Sequence, residues 1–286
     1  MDYDFREFKR PQYNDGDDPL VSLKISDLVG GFVDLDWKTF RIIVSEGISE
    51  EKEAIETVST RLIREDCYFY NYTSIWRVVK KLVNTNMFKS VEINTGYRIF
   101  NILVLTTIGT IAYMEKFKKN PAKAEHERIM ANHGSILHGY MIKDVKCILG
   151  KLGYANVTIE RKENCIKLFD DRQIIPDVIG RKNGTVQFFE VECGNHNQGD
   201  FNDKCDRLKA ITRNINIVAK NRYDAKTKLL PQIESWVRKR RDILIMNDVK
   251  VYLTTMKDLS KQKRTYIFDP NLDKPICCFE RRKKEV

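Results

Sequence analysis

No stretch of this chain is apolar for long enough to cross a bilayer. A spanning helix needs about 18–20 consecutive apolar residues. The longest candidate, Ile99 to Tyr113, is broken by Asn101, three threonines and Gly109. A basic leader running into an apolar core is missing too, since the chain opens Met-Asp-Tyr-Asp-Phe. A cytoplasmic location with no membrane partner is therefore expected. Paired cysteines are also lacking: Cys67, Cys147, Cys165, Cys193, Cys205, Cys277 and Cys278 are odd in number and contain no CxxC spacing. That pattern argues against a disulfide framework and for reduced thiols. Cys193, His196 and Cys205 can be strung together as zinc ligands, but a fourth ligand at usual spacing is absent. The plainer expectation puts Cys193 at the end of a buried strand, Cys205 on a helix, and Cys277 and Cys278 on a strand. Repeats and low-complexity tracts do not occur.

What the chain does have is positive charge, unevenly placed. Across 286 residues the formal net charge is +10, yet residues 1–66 hold 9 Lys/Arg against 16 Asp/Glu. Residues 67–199 hold 19 against 12, and residues 200–286 hold 22 against 12. Clustered cations release condensed counterions when they meet a phosphate chain, so a basic body behind an acidic leader suits a polyanion binder. A lysine-rich solvated surface gives the same count, and charge alone does not separate the two. The hydrophobic fraction of 42% supports real cores, and the length accommodates two ordinary domains.

Residues 1–20, with Pro11, Asn14, Asp15, Gly16, Asp17, Asp18 and Pro19, read as a flexible acidic arm. Ser49 is placed to cap a helix that carries Ile55, Val58, Leu62 and Ile63. Asn71-Tyr72-Thr73-Ser74 opens a second helix with Ile75, Val78, Val79, Leu82 and Val83 on one side and Arg77, Lys80 and Lys81 on the others. Residues 87–93 and 97–105 read as strands about the Asn94-Thr95-Gly96 turn. Leu105-Thr106-Thr107-Ile108-Gly109 then starts another helix. Helix, helix, hairpin, helix over residues 21–120 is the order of a winged helix-turn-helix. Together with that Leu-Thr-x-x-Gly start it resembles the N-terminal domain of replication-relaxation proteins of plasmids and conjugative elements. The resemblance implies DNA binding through Arg77, Lys80 and Lys81, although winged helices also bind proteins. Residues 116–127 make a linker.

A helix over about Ser135 to Leu152 opens the second region, residues 130–286. Strands are expected at 155–161, 164–169, 174–179 and 185–193, a helix at 200–214 and a strand at 215–219. A helix at 226–240 and a strand at 249–254 follow. Ile174-Ile175-Pro176-Asp177-Val178 precedes Phe188-Phe189-Glu190-Val191-Glu192 by thirteen residues, counted from Asp177 to Glu190. Side chains alternate along a strand, so Glu190 and Glu192 share a face and Val191 points the other way. The Asn183-Gly184 turn folds the strands together and can bring Asp177 beside Glu190. Carboxylates that close repel one another unless a cation sits among them, and Mg²⁺ or Mn²⁺ is the hard ion that oxygen ligands take. Charged residues set among Ile174, Ile175, Val178, Ile179, Phe188, Phe189 and Val191 are seldom there without a partner.

Pro176-Asp177 and Glu190-x-Glu192 resemble the signature of the PD-(D/E)XK nuclease superfamily. The likeness spans about residues 135–255 in the order α-β-β-β-α-β, an α/β restriction-endonuclease-like core behind an N-terminal winged helix. It implies Asp177 and Glu190 as metal ligands, the Val191 carbonyl as a further one, and metal-dependent DNA hydrolysis. The sequence departs from that signature at Glu192, where the pattern most often has Lys. Either the cation has moved to Lys204 on the following helix, or the domain keeps the fold as a non-catalytic DNA-binding or regulatory protein. The catalytic set is then Asp177, Glu190, Glu192 and Lys204, with Arg238, Lys239, Arg240 and Arg241 as further DNA contacts. The setting implied is a mobile element or replication complex with its own protein partners. The polar loop Gly194–Gly199 lies beside the cluster and fits either a phosphate or protein contact or an ordinary flexible loop. His133 and His138 flank the start of the first core helix. A structural role is expected for His138, a place near the cleft being the alternative, and Asp144 is expected to be solvated.

Overall fold

The structure, a computed structural model, describes residues 27–64, 70–159, 165–168, 170–194 and 196–278. The acidic arm expected over residues 1–20, together with Cys67 and Asn195, lies outside them. Among the described residues no helix is long and apolar enough to cross a membrane. The chain divides into two compact units, one of Met1–Ile93 and Ile99–Ile136, the other of Asn94–Arg98 and Leu137–Val286.

The first unit runs α1 (Asp34–Glu46), α2 (Glu51–Arg64), α3 (Tyr72–Asn84), β1 (Phe88–Asn94), β2 (Ile99–Leu105), α4 (Thr107–Phe117) and α5 (Glu125–His133). Apolar residues at helical spacing turn one face of each of the first three helices inward. Phe40 and Ile43, Ile55, Val58 and Leu62, and Ile75, Val79 and Leu82 are at most 1% exposed and form one core. Phe40 sits at its centre, edge-on to Phe88 at 5.4 Å and to Tyr113 at 5.9 Å. Truncating such a buried ring to alanine costs about 3–5 kcal/mol. Asn71 caps α3 by accepting from the Ser74 N–H, and Thr106 caps α4 by accepting from the Gly109 N–H. Gly109 is required for packing: a β-carbon there would run into the Met87 carbonyl. Ser49 differs from expectation. It is buried, and its hydroxyl lies 2.8 Å from His126 Nδ1 and accepts from the His126 N–H, tying the start of α2 to α5. The expected linker over residues 116–127 therefore gives way to helix α5 at Glu125.

The second unit is mixed α/β. It contains α6 (Ile136–Lys151), β3 (Ala155–Thr158), β4 (Ile166–Lys167), β5 (Gln173–Ile174), β6 (Val178–Lys182) and β7 (Thr185–Glu192). After these come α7 (Gln198–Leu208), β8 (Asn214–Ala219), α8 (Leu230–Met246), β9 (Lys250–Thr255), α9 (Met256–Leu259), β10 (Tyr266–Phe268) and β11 (Ile276–Cys277). A turn at Arg222–Asp224 and a π-helical turn at Ala225–Leu229 lead into α8. One seven-stranded sheet has the order β11-β10-β9-β8-β7-β6-β3. β7, β8 and β9 are parallel, and the other pairings are antiparallel.

Period-2 alternation assigns each side of this sheet. Val178, Phe189, Val191 and Val218 pack with Met141, Val145 and Ile148 of α6. Ile215, Ile217, Ala219, Val251 and Leu253 pack with Phe201, Cys205 and Leu208 of α7 and with Trp236 of α8. Glu190 lies between Phe189 and Val191, so it points to the α7 side.

Three expected elements need correction. The strand expected over 174–179 breaks, because β5 pairs with β4 in a separate two-stranded sheet and β6 begins only at Val178. Pro176 has no N–H to give a ladder, which favours a break at that place. The helix expected over 200–214 ends at Leu208, and the one expected over 226–240 extends to Met246. The Asn183-Gly184 turn does form, with φ of 50° and 78°, the left-handed pair a two-residue hairpin needs.

Candidate active site

The site is built where β6 and β7 meet. Their register pairs Val178 with Phe189, which brings Asp177, one residue before β6, to the row of Glu190. Asp177 Oδ2 accepts from the Val191 N–H at 2.8 Å. The break at Pro176 thus turns the carboxylate into a cap on the neighbouring strand. Glu190 and Glu192 are each 2% exposed.

Lys204 reaches in from α7. The helix is capped by Asn197, which accepts from the Asp200 N–H, and buries Phe201, Cys205 and Leu208 on the sheet. That packing fixes the rotation of the helix and aims Lys204 along the carboxylate face. Its Nζ lies 2.6 Å from Glu190 Oε2, 2.8 Å from Glu192 Oε1 and 3.8 Å from Asp177 Oδ2. Burial alone would lower the ammonium pKa; the charges of Glu190, Asp177 and Glu192 outweigh it and hold that pKa well above its ordinary value. Asp177 is the converse case. Burial pushes its carboxyl up, but Lys204, His138 and the Val191 N–H together hold it well below the usual range. Glu190 goes the other way, raised by burial despite Lys204, with Asp177 and Glu192 adding to the rise.

His138 lies beside the cluster, the place expected as the alternative to a structural role elsewhere, and its contacts there hold the neighbouring groups. From the first turn of α6 its Nε2 lies 3.0 Å from the Val191 carbonyl and 3.4 Å from Asp177 Oδ2. A carbonyl only accepts, so Nε2 carries the proton. Burial would lower the imidazole pKa, but the hydrogen bond and charge of Asp177 raise it overall. The signal for this role lies on the helix stripe: Met141 and Ile142, three and four residues on, are both fully buried, so His138 faces the sheet as well.

The donors suit a hard divalent cation. Asp177, Glu190 and the Val191 carbonyl offer only oxygen; Glu190 Oε1 is buried with no hydrogen-bond partner among the described residues, and Oε2 has the Lys204 ammonium at 2.6 Å. Such atoms carry a desolvation cost that a cation relieves. Among the described residues, no three His, Cys, Asp or Glu side chains stand close enough together to hold an ion as they are. The Lys204 ammonium supplies the positive charge among them, and an ion would take its place or stand beside it.

Cys193, His196 and Cys205 do not assemble as zinc ligands, in line with the plainer expectation for the two cysteines. Cys205 belongs to the core under α7, Cys193 packs its sulfur 3.7 Å from Met141 Sδ, and His196 Nε2 instead lies 3.6 Å from Glu192 Oε2. Burial, then the Glu192 charge, pushes the Cys193 thiol up to about 11. Asp144, expected to be solvated, is 3% exposed; it accepts from Thr95 Oγ1 at 2.6 Å and from Arg98 Nε at 2.8 Å.

The expected DNA contacts divide. Arg77 is exposed on α3. Lys80 pairs with Glu51 at 2.9 Å, and Lys81 is held by Asp36 and the Gly31 carbonyl, both at 2.6 Å. On α8, Arg238 and Lys239 are exposed. Arg240 is bound to Asp206 at 3.0 Å, and Arg241 to Asp273 and the Pro270 carbonyl, each at 3.0 Å.

No family model and no curated protein matches this sequence. Among solved structures, the crystal structure of protein VC1899 from Vibrio cholerae matches with 14% identity and a TM-score of 0.30. The match covers 86% of this chain and 56% of that one, so this chain spans about half the length of that protein. A likeness at that level carries no argument about fold or activity.

Proposed function

We propose that the second unit is a metal-dependent DNA phosphodiester hydrolase of the PD-(D/E)XK type, acting in the processing of mobile-element or plasmid DNA. One observation carries the reading: Lys204 comes from the next helix to within 2.6 Å of Glu190 and 2.8 Å of Glu192. The lysine that the sequence signature lacks after Glu190 is thereby available from another element. In this reading Asp177, Glu190 and the Val191 carbonyl hold Mg²⁺ or Mn²⁺, which when bound supplies an activated water and offsets charge on the phosphate. Glu192 keeps Lys204 protonated and aimed across the cleft. Lys204 orients the attacking water and stabilises the oxygen on which charge develops. His138 holds the Val191 carbonyl and Asp177 in register with each other. The first unit supplies DNA affinity as a winged helix, with Arg77 on α3 the exposed cation. Proteins of the same mobile-element or replication complex are the natural partners.

A second reading is favoured by the same lysine. The ammonium already stands within 2.8 Å of Glu190 and Glu192, so the cluster has a cation of its own without a metal, and the chain would then be a non-catalytic DNA-binding or regulatory protein. Supercoiled plasmid incubated with Mg²⁺ or Mn²⁺ separates the two. Hydrolysis predicts nicking or linearisation, reduced about 100-fold or more by Asp177→Ala. Metal-independent binding without cleavage, identical in wild type and variant, supports the regulatory reading.

A further inference from the structure

A cavity of about 360 Å³ opens in the second unit where β8 and β9 end. Its wall carries Lys220 and Arg222 from the turn after β8, and Lys257, Asp258 and Lys261 from the segment after β9. Four cations against one carboxylate leave it strongly positive. The carboxylate is fully engaged: Asp258 is 3% exposed, accepts from Thr255 Oγ1 at 2.7 Å and pairs with Arg222 at 3.2 Å. Burial pushes its carboxyl up, but Arg222 and Thr255 outweigh that and keep it ionised. Asp258 thus positions a guanidinium at the cavity and leaves the lysines to face outward. The opposite wall is backbone. Gly96, at φ 81°, approaches so closely that a β-carbon would strike the Lys220 carbonyl, and its neighbours Thr95 and Arg98 are fixed to Asp144.

The position of this cavity matters as much as its charge. β7, β8 and β9 run parallel, and the register aligns Glu192 with Ala219 and Ala219 with Thr255. The carboxyl ends of the three strands therefore form one edge, with Glu192 at one place on it and the cavity one or two strands along. At about 4.8 Å per strand that is roughly 5–10 Å, a distance one to three nucleotides cover at about 3.4 Å of rise each.

We infer that this cavity is a second phosphate site, taking a backbone phosphate of the same nucleic acid strand that the Asp177–Glu190 cluster engages. The inference rests on the hydrolase reading for the identity of the strand, and on the cavity's own cations for the phosphate. It assigns Lys220, Arg222, Lys257 and Lys261 as the residues that set the register of the strand.

The test uses the full chain and a short fluorescent single-stranded oligodeoxynucleotide, in chelator, titrated from about 50 to 200 mM salt. Lys257 and Lys261 are exposed, so Lys257→Ala, Lys261→Ala and their double variant are expected to fold; Lys274→Ala is the matched exposed control. If the two lysines neutralise one phosphate between them, the double variant lowers the log–log salt slope by about 0.7, with Lys274→Ala unchanged. Slopes equal to wild type in all variants overturn the site. Inorganic phosphate at matched ionic strength distinguishes the source of the ligand. Little displacement of the oligonucleotide supports a strand phosphate, while efficient displacement from wild type only means that free phosphate is the ligand and overturns the assignment. Plasmid cleavage with Mn²⁺ is scored in parallel. A reduced slope in a protein that does not cleave supports the phosphate site and removes only the hydrolase reading. Cleavage with unchanged slopes removes only the phosphate site.

Discussion

In the first unit, lysines and carboxylates meet one to one: Lys80 with Glu51 and Lys81 with Asp36, the lysine side chains each 38% exposed and the carboxylate side chains 11% and 3%. In the second unit three carboxylates share one lysine that is 23% exposed, and two of the three are only 2% exposed. In the first arrangement each buried carboxylate has a partly exposed lysine of its own. The second concentrates negative charge out of water, a cost that folding alone gives no reason to incur. That excess is what marks Asp177, Glu190 and Glu192 as the candidate site. Lys80 and Lys81, whose place on α3 suits DNA contact, are by contrast explained by their partners.

This contrast can be broken most sharply at Lys204. Lys204→Met leaves buried carboxylates uncompensated and is expected to cost about 3–5 kcal/mol of stability in urea unfolding. Adding Glu190→Gln to that variant should restore a substantial part. A loss below about 1 kcal/mol would make Lys204 an ordinary surface pair. At His138, alanine leaves the Val191 carbonyl and Asp177 short of a donor, an expected loss of about 1–3 kcal/mol. His138→Gln, able to donate to that carbonyl, should recover part of it, and no difference between the two substitutions would show that the contact is idle.

Smaller effects sharpen the same comparison. Burial raises the Asp206 carboxyl, but Arg240, Lys209 and the Trp236 N–H outweigh it and leave its pKa depressed in the folded chain. A depressed carboxylate contributes stability that is complete above its unfolded value of about 3.9 and is lost as pH falls through the lower folded value. Asp206→Asn should therefore flatten the acid limb of a stability–pH curve below about pH 4, while leaving the slope near neutrality unchanged. An acid limb identical to wild type would count against the pairing. Lys80→Ala is expected to cost at most about 1 kcal/mol in thermal or urea unfolding, and a loss matching that of Lys204→Met would erase the distinction between the units.

Much of the second unit was legible because its signals are local. Alternation along residues 185–192 put Glu190 and Glu192 on one face, Asn183-Gly184 demanded a hairpin, and Lys204 stood on the helix expected next. What escaped depended on partners far away in sequence. Asp144 reads as a solvated helix residue until Thr95 and Arg98, some 49 and 46 positions earlier, are found against it. Ser49 reads as a helix cap until His126 is seen 77 residues on. His138 shows the same limit, since nothing near it announces that the Val191 carbonyl will be its acceptor. The break at Pro176 was a local signal outweighed by the surrounding isoleucines and valine. The three-residue β10 exists only as an addition to β9 and carries too short a pattern to read, whereas Cys277 does lie on a strand, β11, with Cys278 one residue beyond it. The cation-lined cavity joins the ends of β8 and β9, segments about 35 residues apart that only the parallel register brings together.

The buried carboxylates are proposed to hold a divalent cation. Titration calorimetry of the full chain with Mn²⁺ tests this most directly, with Glu190→Gln as the paired variant and urea unfolding to verify that both are folded. The account predicts one Mn²⁺ per chain in wild type and loss of that heat in Glu190→Gln. Absence of a saturable site in wild type, or binding unchanged in the variant, would contradict it and leave the Lys204 ammonium as the cluster's own cation.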